Sequence, residues 1–256
     1  MSWNVNTLIE QMRLPFRIAG GPRENAHPIG DTAMGSRNYH LHELCIANSP
    51  GDSRRIMPPI LESHRRILDV GCGAGQTLIA SNLASSVMAV GVDIDCSALS
   101  IGKQMNSRIH LVGARGEALP FQKEYFDFVF SRVALPYMNL HKTLGEMWRV
   151  LTVGGRIWIV LHPFSLVLKE MHESISRLEI KSAIYRSYVI ANGITLNLLG
   201  KEFAFPFKKE HYECFQTVRG IRRILKRVGF DSVEIAKNNF FVATAIKNAP
   251  TMPSDP

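Results

Sequence analysis

Long apolar runs, paired cysteines and a leader-like start are all missing from these 256 residues. The first residues contain neither a basic nor an apolar stretch, and the most apolar later run is interrupted at His162-Pro163, well short of the roughly 20 residues of a membrane span. These absences predict a cytoplasmic protein that is not secreted and has no membrane span.

The four cysteines lie far apart, at positions 45, 72, 96 and 214, with none of the close spacings that mark zinc or thiol redox sites. Among the nine histidines, only His40 and His42 form a close pair, and they would share a face in a strand but not in a helix. We therefore predict reduced thiols and no metal site.

Acidic residues are outnumbered, 22 against 30 Lys and Arg, which gives a formal net charge of +8. Such an excess suits acidic or nucleic-acid partners. The basic residues near the C-terminal end, however, alternate with apolar ones at the spacing of an amphipathic surface helix. The residues concerned are Arg219, Arg222, Arg223, Lys226 and Arg227. We favour a solvated helix face, with a nucleic-acid partner as an alternative.

Glycines and prolines divide the chain into three parts. Breakers crowd residues 15–59, so residues 1–60 are interpreted as a lead-in segment whose only predicted helix lies at 39–47. From residue 66, strand-like runs at 67–70, 87–92, 109–112, 126–130 and 157–161 alternate with helical patterns, which predicts a parallel sheet covered by helices over 61–247. The tail, 248–256, has three prolines and is predicted to be disordered.

Residues 162–217 interrupt this alternation. We predict a helix near 165–188, a β-like stretch near 194–207, and a cap over the substrate site rich in aromatic side chains. The same aromatic residues would serve equally as the core of a small subdomain. After the basic helix, strands near 232–236 and 240–246, joined by a turn at 237–239, predict an antiparallel hairpin.

The most informative pattern is Ile-Leu-Asp-Val-Gly-Cys-Gly-Ala-Gly at 67–75, a strand that leads into glycines at alternate positions and then a helix. Such glycines let a ligand lie against the backbone at a helix N-terminus, although a tight turn alone would need them too. Asp93 ends the second strand, where a carboxylate can accept hydrogen bonds from both hydroxyls of an adenosine ribose. A nicotinamide dinucleotide would use the same geometry, but its phosphate turn requires glycine where Gln76 stands.

Together with three further segments, these motifs resemble the class I S-adenosylmethionine-dependent methyltransferases of the small-molecule, type 11-like group. The segments are Glu-Ala-Leu-Pro-Phe at 117–121 and the run from Tyr125 to Ser131, followed by 147–156. The resemblance spans about 66–161. It implies a Rossmann-like, doubly wound α/β fold: a mostly parallel seven-stranded sheet with an antiparallel C-terminal hairpin and a small cap insertion.

The resemblance also implies a cofactor, S-adenosyl-L-methionine, and the residues that would bind it. Asp69 would brace the glycine loop, Asp93 would hold the ribose, and Ile94 would lie against the adenine. The implied cofactor-binding set is Asp69, Gly71, Cys72, Gly73, Gly75, Asp93, Ile94, Gly116, Glu117, Ser131 and Arg132. One residue departs from the pattern: Arg115 stands where relatives carry an aspartate that accepts from the adenine amine, and arginine has no acceptor. We expect backbone groups to suffice there.

Methyl transfer from a sulfonium needs chiefly a nucleophile held in line with water excluded, plus a base where the nucleophile carries a proton. His162 directly follows the fifth strand and is the predicted base, while Tyr137 and His141 are predicted to bind substrate. The chain lacks the Asn- or Asp-Pro-Pro-aromatic and Pro-Cys segments of nucleobase methyltransferases. Nucleobase methylation of those types is therefore disfavoured. The resemblance implies a small-molecule acceptor, methylated on O, N or C, and the aromatic insertion predicts that this acceptor is apolar or aromatic. A nicotinamide-dependent oxidoreductase and a cofactor-binding protein without turnover are the alternatives.

Overall fold

The computed structural model describes residues 33–207 and 211–249. Most of the predicted lead-in segment (1–32) and most of the predicted disordered tail (250–256) lie outside the described residues. In chain order, the helices and strands are α1 (Ala33–Ala47), β1 (Arg66–Val70), α2 (Gln76–Ala80), β2 (Met88–Asp93), α3 (Cys96–Met105), β3 (His110–Gly113), β4 (Phe126–Arg132), α4 (Leu140–Val150), β5 (Leu151–Leu161), α5 (Phe164–Ser176), α6 (Ile180–Leu199), α7 (Val218–Val228), β6 (Asp231–Lys237) and β7 (Phe241–Ile246).

The seven strands form one sheet in the order β3-β2-β1-β4-β5-β7-β6. Strands β1 to β5 pair in parallel, whereas β7 runs antiparallel to both β5 and β6. This arrangement confirms the predicted sheet and its C-terminal hairpin. The strand order reverses between β1 and β4, and in open α/β sheets ligands bind beside such a point, at the carboxyl ends of the strands.

Burial on both faces explains why the strands read as apolar runs. The side chains of Ile67, Leu68 and Val70 in β1 are fully buried, as are Phe128 and Phe130 in β4. Two apolar clusters cover the two faces of the sheet, one containing Leu68 and the other Ile67, because successive side chains of a strand point to opposite faces.

The insertion at 162–217 differs from the prediction in two ways. The helix expected near 165–188 is divided in two, because the chain turns between α5 and α6, where Leu178 has a φ of 56°. The β-like stretch near 194–207 is wrong: its first residues finish α6, which ends at Gly200 in a left-handed conformation. Residues 201–207 contain no strand.

Long-range contacts explain why the first residues of the expected β-like stretch belong to helix α6. Val189 and Leu196 are buried on one face of α6, seven residues apart, which is two helical turns. The amide of Asn192, on the same helix, donates to the Glu213 carbonyl at 2.9 Å and accepts from the Phe203 N–H at 2.9 Å. Tertiary packing therefore outweighs the β-like composition of this stretch.

No helix within residues 33–207 and 211–249 is both long and apolar enough to cross a membrane.

Candidate active site

The loop between β1 and α2 has a conformation that requires glycine. Gly71, Gly73 and Gly75 have φ values of 76°, 56° and 73°, in the left-handed region. A Cβ atom on Gly71 would lie 2.2 Å from the Cβ of Ala134, so space forbids a side chain there as well. The loop thus presents bare backbone to the carboxyl end of the sheet.

Asp93 accepts a hydrogen bond that helps to hold this loop, together with backbone hydrogen bonds from Gly71 and Cys72 to the Val92 carbonyl. Its Oδ2 accepts from the Gly73 N–H at 2.7 Å, and its Oδ1 accepts from the Asp95 N–H at 2.9 Å. The resemblance assigns the bracing of the loop to Asp69, yet the hydrogen bond that the structure shows comes from Asp93. A carboxylate oxygen accepts more than one hydrogen bond, so Asp93 keeps the capacity to accept from a ligand.

Asp69 is nearly fully buried, 2% exposed, at the end of β1. Its Oδ1 has no hydrogen-bond partner among the described residues. Burial raises the pKa of Asp69 to about 8, against the opposing effect of the Arg132 guanidinium. A buried carboxyl oxygen without a partner would gain most from a cationic hydrogen-bond donor.

A cavity of about 690 Å³ opens beside the glycine loop, within the size range of small-molecule sites. Nine of the residues predicted from the sequence line it: Asp69, Gly71, Cys72, Gly73, Asp93, Ile94, Arg132, Tyr137 and His162. The structure therefore brings nine of the fourteen predicted site residues to one cavity.

Five predicted residues do not line this cavity: Gly75, Gly116, Glu117, Ser131 and His141. Gly116 packs so closely on Met138 that an added Cβ would lie 2.7 Å from its Sδ. Glu117 instead accepts from the Asn139 N–H at 3.0 Å and pairs with Arg115 at 3.7 Å.

Ser131 and His141 face elsewhere for structural reasons. Neighbouring side chains of a strand point to opposite faces, so with Arg132 in the cavity Ser131 points away from it and is fully buried. His141 lies on α4, where its Nε2 is 2.6 Å from the Gly200 carbonyl oxygen. The structure thus places His141, which the sequence predicted to bind substrate, outside the cavity.

Tyr137 and His162 meet at the other end of the cavity, their rings edge to face with centroids 5.4 Å apart. The backbone on either side of the His162 ring is fixed by Gln216: the His162 N–H donates to Oε1 at 3.1 Å, and the Gln216 N–H donates to the His162 carbonyl at 3.2 Å. Burial, with Glu213 and Glu170 nearby, raises the pKa of Tyr137 well above its usual value. The phenol is therefore held as a neutral hydrogen-bond donor.

Helix α1 adds residues that the sequence did not reveal. Tyr39, His40 and Glu43 line the cavity, and His40 Nδ1 lies 2.8 Å from the side-chain nitrogen of Gln76. The sequence indicated a helix here but not what it packs against, since the partners of His40 and Glu43 are 36 and 89 residues away.

Comparisons with known proteins agree with this geometry. A family model described as a methyltransferase domain matches residues 68–159. The ubiquinone/menaquinone biosynthesis C-methyltransferase UbiE of Xylella fastidiosa is 36% identical over 126 residues, which cover 45% of this chain and 48% of that protein. A demethylmenaquinone methyltransferase of Bacteroides fragilis is 24% identical over 192 residues, 70% of this chain and 73% of that protein.

The solved structures add the fold. A SAM-dependent methyltransferase from Thermotoga maritima superposes with a TM-score of 0.51 at 14% identity, covering 84% of this chain and 92% of that one. Residues 68–159 thus match a methyltransferase domain, and the fold of the chain is that of the class I S-adenosylmethionine-dependent methyltransferases. Its cofactor is S-adenosylmethionine rather than a nicotinamide dinucleotide, which agrees with Gln76 at the place of a third phosphate-turn glycine.

Proposed function

We propose that the cavity beside the glycine loop holds S-adenosylmethionine and that the far end of the same cavity holds a small, apolar or aromatic acceptor. The continuity of the cavity from Gly73 to His162 is the observation that carries this proposal. It lets one molecule lie against the loop while another contacts Tyr137 and His162. Residues 162–217 then act as a cap domain over the acceptor, since Pro163 and Leu166 line the cavity.

The loop and strand ends fit the cofactor. Bare backbone at Gly71 and Gly73 would face its methionine part, and the free acceptor capacity of Asp93 suits the ribose hydroxyls. The unpartnered Oδ1 of Asp69 matches the ammonium group that the cofactor carries. Ile94, 65% exposed on the cavity wall, offers an apolar surface for the adenine.

The acceptor end has the character of an apolar site with few polar groups. Leu161, Pro163 and Leu166 contribute apolar surface there, beside the aromatic ring of Phe241. Two relatives are named for methyl transfer to quinone precursors, which makes a ring carbon of a hydroxylated aromatic compound the first acceptor to test. Oxygen and nitrogen acceptors of similar shape remain alternatives within the proposal.

The chain's own contribution is orientation and proton transfer. The cofactor, when bound, supplies a methyl group on a sulfonium, and the sulfur is the leaving group, which becomes a neutral thioether. His162 is the proposed base: its ring would take the proton that the acceptor loses as its new bond to the methyl carbon forms. Tyr137 would donate to an acceptor oxygen, and the apolar wall would exclude water.

The experiment is a methylation assay with isotopically labelled methyl donor and a panel of reduced naphthoquinones and hydroxylated benzenes, read by mass spectrometry. We expect one class to be methylated and His162→Asn to lower kcat by about 100-fold, with cofactor affinity unchanged. His172→Asn, at an exposed histidine of α5, is the matched control and should keep full activity. Unchanged turnover of His162→Asn at every pH would remove the base assignment.

A further inference from the structure

The Arg132 guanidinium is fixed at the junction of three elements. It leaves the end of β4, donates from Nε to the Thr77 hydroxyl at 3.2 Å, and donates from Nη2 to Glu43 Oε2 at 2.8 Å. The side chains of Arg132 and Glu43 are only 16% and 19% exposed. Thr77 belongs to the first turn of α2, so the guanidinium lies beside the end of the glycine loop.

The charges around the cavity are strongly unequal. Among the described residues that line it, Arg132 is the single Arg or Lys, whereas four acids are present: Glu43, Asp69, Asp93 and Asp95. This excess suits the ammonium and sulfonium of the cofactor but not its carboxylate. A carboxylate in such surroundings needs a cation, and a guanidinium binds it best because two N–H groups can donate in parallel.

We propose that Arg132 binds the carboxylate of the cofactor and that Glu43, from helix α1, is the positioning residue that holds the guanidinium in place. This inference rests on the proposed cofactor site and extends it by assigning the amino-acid end to α1 and β4. Arg132 has donors beyond the two that it uses on Thr77 and Glu43, so it can receive a carboxylate without breaking either contact.

A preformed ion pair has a clear physical purpose here. A free arginine side chain loses rotamer freedom when it binds, and this loss weakens binding. The contact with Glu43 removes much of that freedom before the cofactor arrives, so less affinity is lost on binding. Arg132 is also close enough to Asp69 to oppose the rise in its pKa, so the two side chains lie near each other in the cavity.

Two ligands separate this assignment from a general effect on the site. S-adenosylhomocysteine carries the amino-acid end, whereas 5′-methylthioadenosine keeps the nucleoside and the sulfur but lacks both the carboxylate and the ammonium. Calorimetric titration of both ligands into the parent protein and its variants therefore reports on the amino-acid end alone. No acceptor and no turnover are required.

We expect Arg132→Met to weaken S-adenosylhomocysteine at least about tenfold and Glu43→Gln by about threefold to tenfold, while methylthioadenosine binds both variants as it binds the parent. Arg132→Lys keeps the charge and should fall between the parent and Arg132→Met. Glu62→Gln, at an exposed acid, is the matched control and should change neither affinity.

Equal weakening of the two ligands by Arg132→Met and Glu43→Gln would overturn the inference in favour of a structural role, and so would no weakening of either. Asp93→Asn tests the underlying site separately. If this variant binds both ligands as the parent does, the proposed cofactor site itself fails, whatever Arg132 does. If it weakens both while the Arg132 variants weaken neither, only the carboxylate assignment fails.

Discussion

The loop after β1 and the cap after β5 border the same cavity, yet different contacts hold them. The loop depends on its backbone conformation and on hydrogen bonds to the end of β2: the Gly73 N–H donates to the Asp93 carboxylate, and the Gly71 and Cys72 N–H groups donate to the Val92 carbonyl. In the cap, Arg186 is paired with Glu170 at 2.9 Å and Glu213 at 2.7 Å, and these groups come from three separate segments. The loop is thus held by backbone conformation and by one neighbouring strand, whereas the cap is held by ion pairs that join three segments.

This difference predicts that similar glycine substitutions in the two regions have separable effects. A Cβ on Gly71 would lie 2.2 Å from Ala134, and one on Gly193 would lie 2.2 Å from the ring of Phe215. We expect each alanine variant to cost about 1–3 kcal/mol or more in stability. Gly71→Ala should also abolish binding of S-adenosylhomocysteine, whereas Gly193→Ala should retain it and lose methyl transfer. Calorimetry and the methylation assay measure the two effects.

Gly145→Ala, on α4, is the matched control, because a Cβ there would meet no atom within 4 Å. It should bind cofactor normally and gain about 0.5–1 kcal/mol of stability from higher helix propensity. Loss of cofactor binding in Gly193→Ala would show that the two regions are not independent.

The same contrast explains what could be predicted from the sequence. The strand at 67–70, its glycines and Asp93 are recognisable because short-range patterns determine them: an apolar buried strand, a turn with positive φ, and an acid at a strand end. The mostly parallel sheet and its antiparallel hairpin followed from the family resemblance and from the alternation of strands and helices, whereas the strand order came from the structure.

The predictions that failed concern residues whose conformation or contacts depend on residues far away in the sequence. The composition of 194–207 suggested a strand, yet Asn192 and Leu196 are held in a helix by residues from the following segment. His40 and Glu43 carried no recognisable pattern, because their partners Gln76 and Arg132 meet them only in the folded chain. Glu117 fits a family motif, but here its carboxylate accepts from the Asn139 N–H instead of facing the cavity.

A smaller effect is expected at Glu202, a buried acid of the cap. Burial raises the pKa of Glu202 to about 7, against the backbone N–H groups of His141 and Leu140, from a usual value near 4.5. Because the folded state holds this proton more tightly, its stabilising contribution is complete below pH 4.5 and is lost as the pH rises through about 7. The cap should therefore be less stable at pH 8 than at pH 5.

Urea denaturation of the parent and of Glu202→Gln at pH 5 and pH 8 measures this contribution. Glutamine cannot ionise, so the stability of the variant should decline less over this interval, by on the order of 1 kcal/mol. Glu179→Gln, at an exposed position of the same cap, should follow the parent. Identical pH dependence in all three proteins would contradict the raised pKa of Glu202.

The smallest expected effect concerns the basic helix α7, which follows the cap and packs against α6. Arg223 donates from Nη1 to the carbonyls of Asn197 at 3.2 Å and Leu198 at 3.0 Å, at the C-terminal end of α6, where a cation is favourable. Arg222 is exposed on the same helix. We expect Arg223→Met to lower the free energy of unfolding by about 0.5–1 kcal/mol and Arg222→Met to change it by less than about 0.5 kcal/mol. Equal effects in urea denaturation would mean that the helix end gains nothing from Arg223, and the whole basic face would then be a solvated surface.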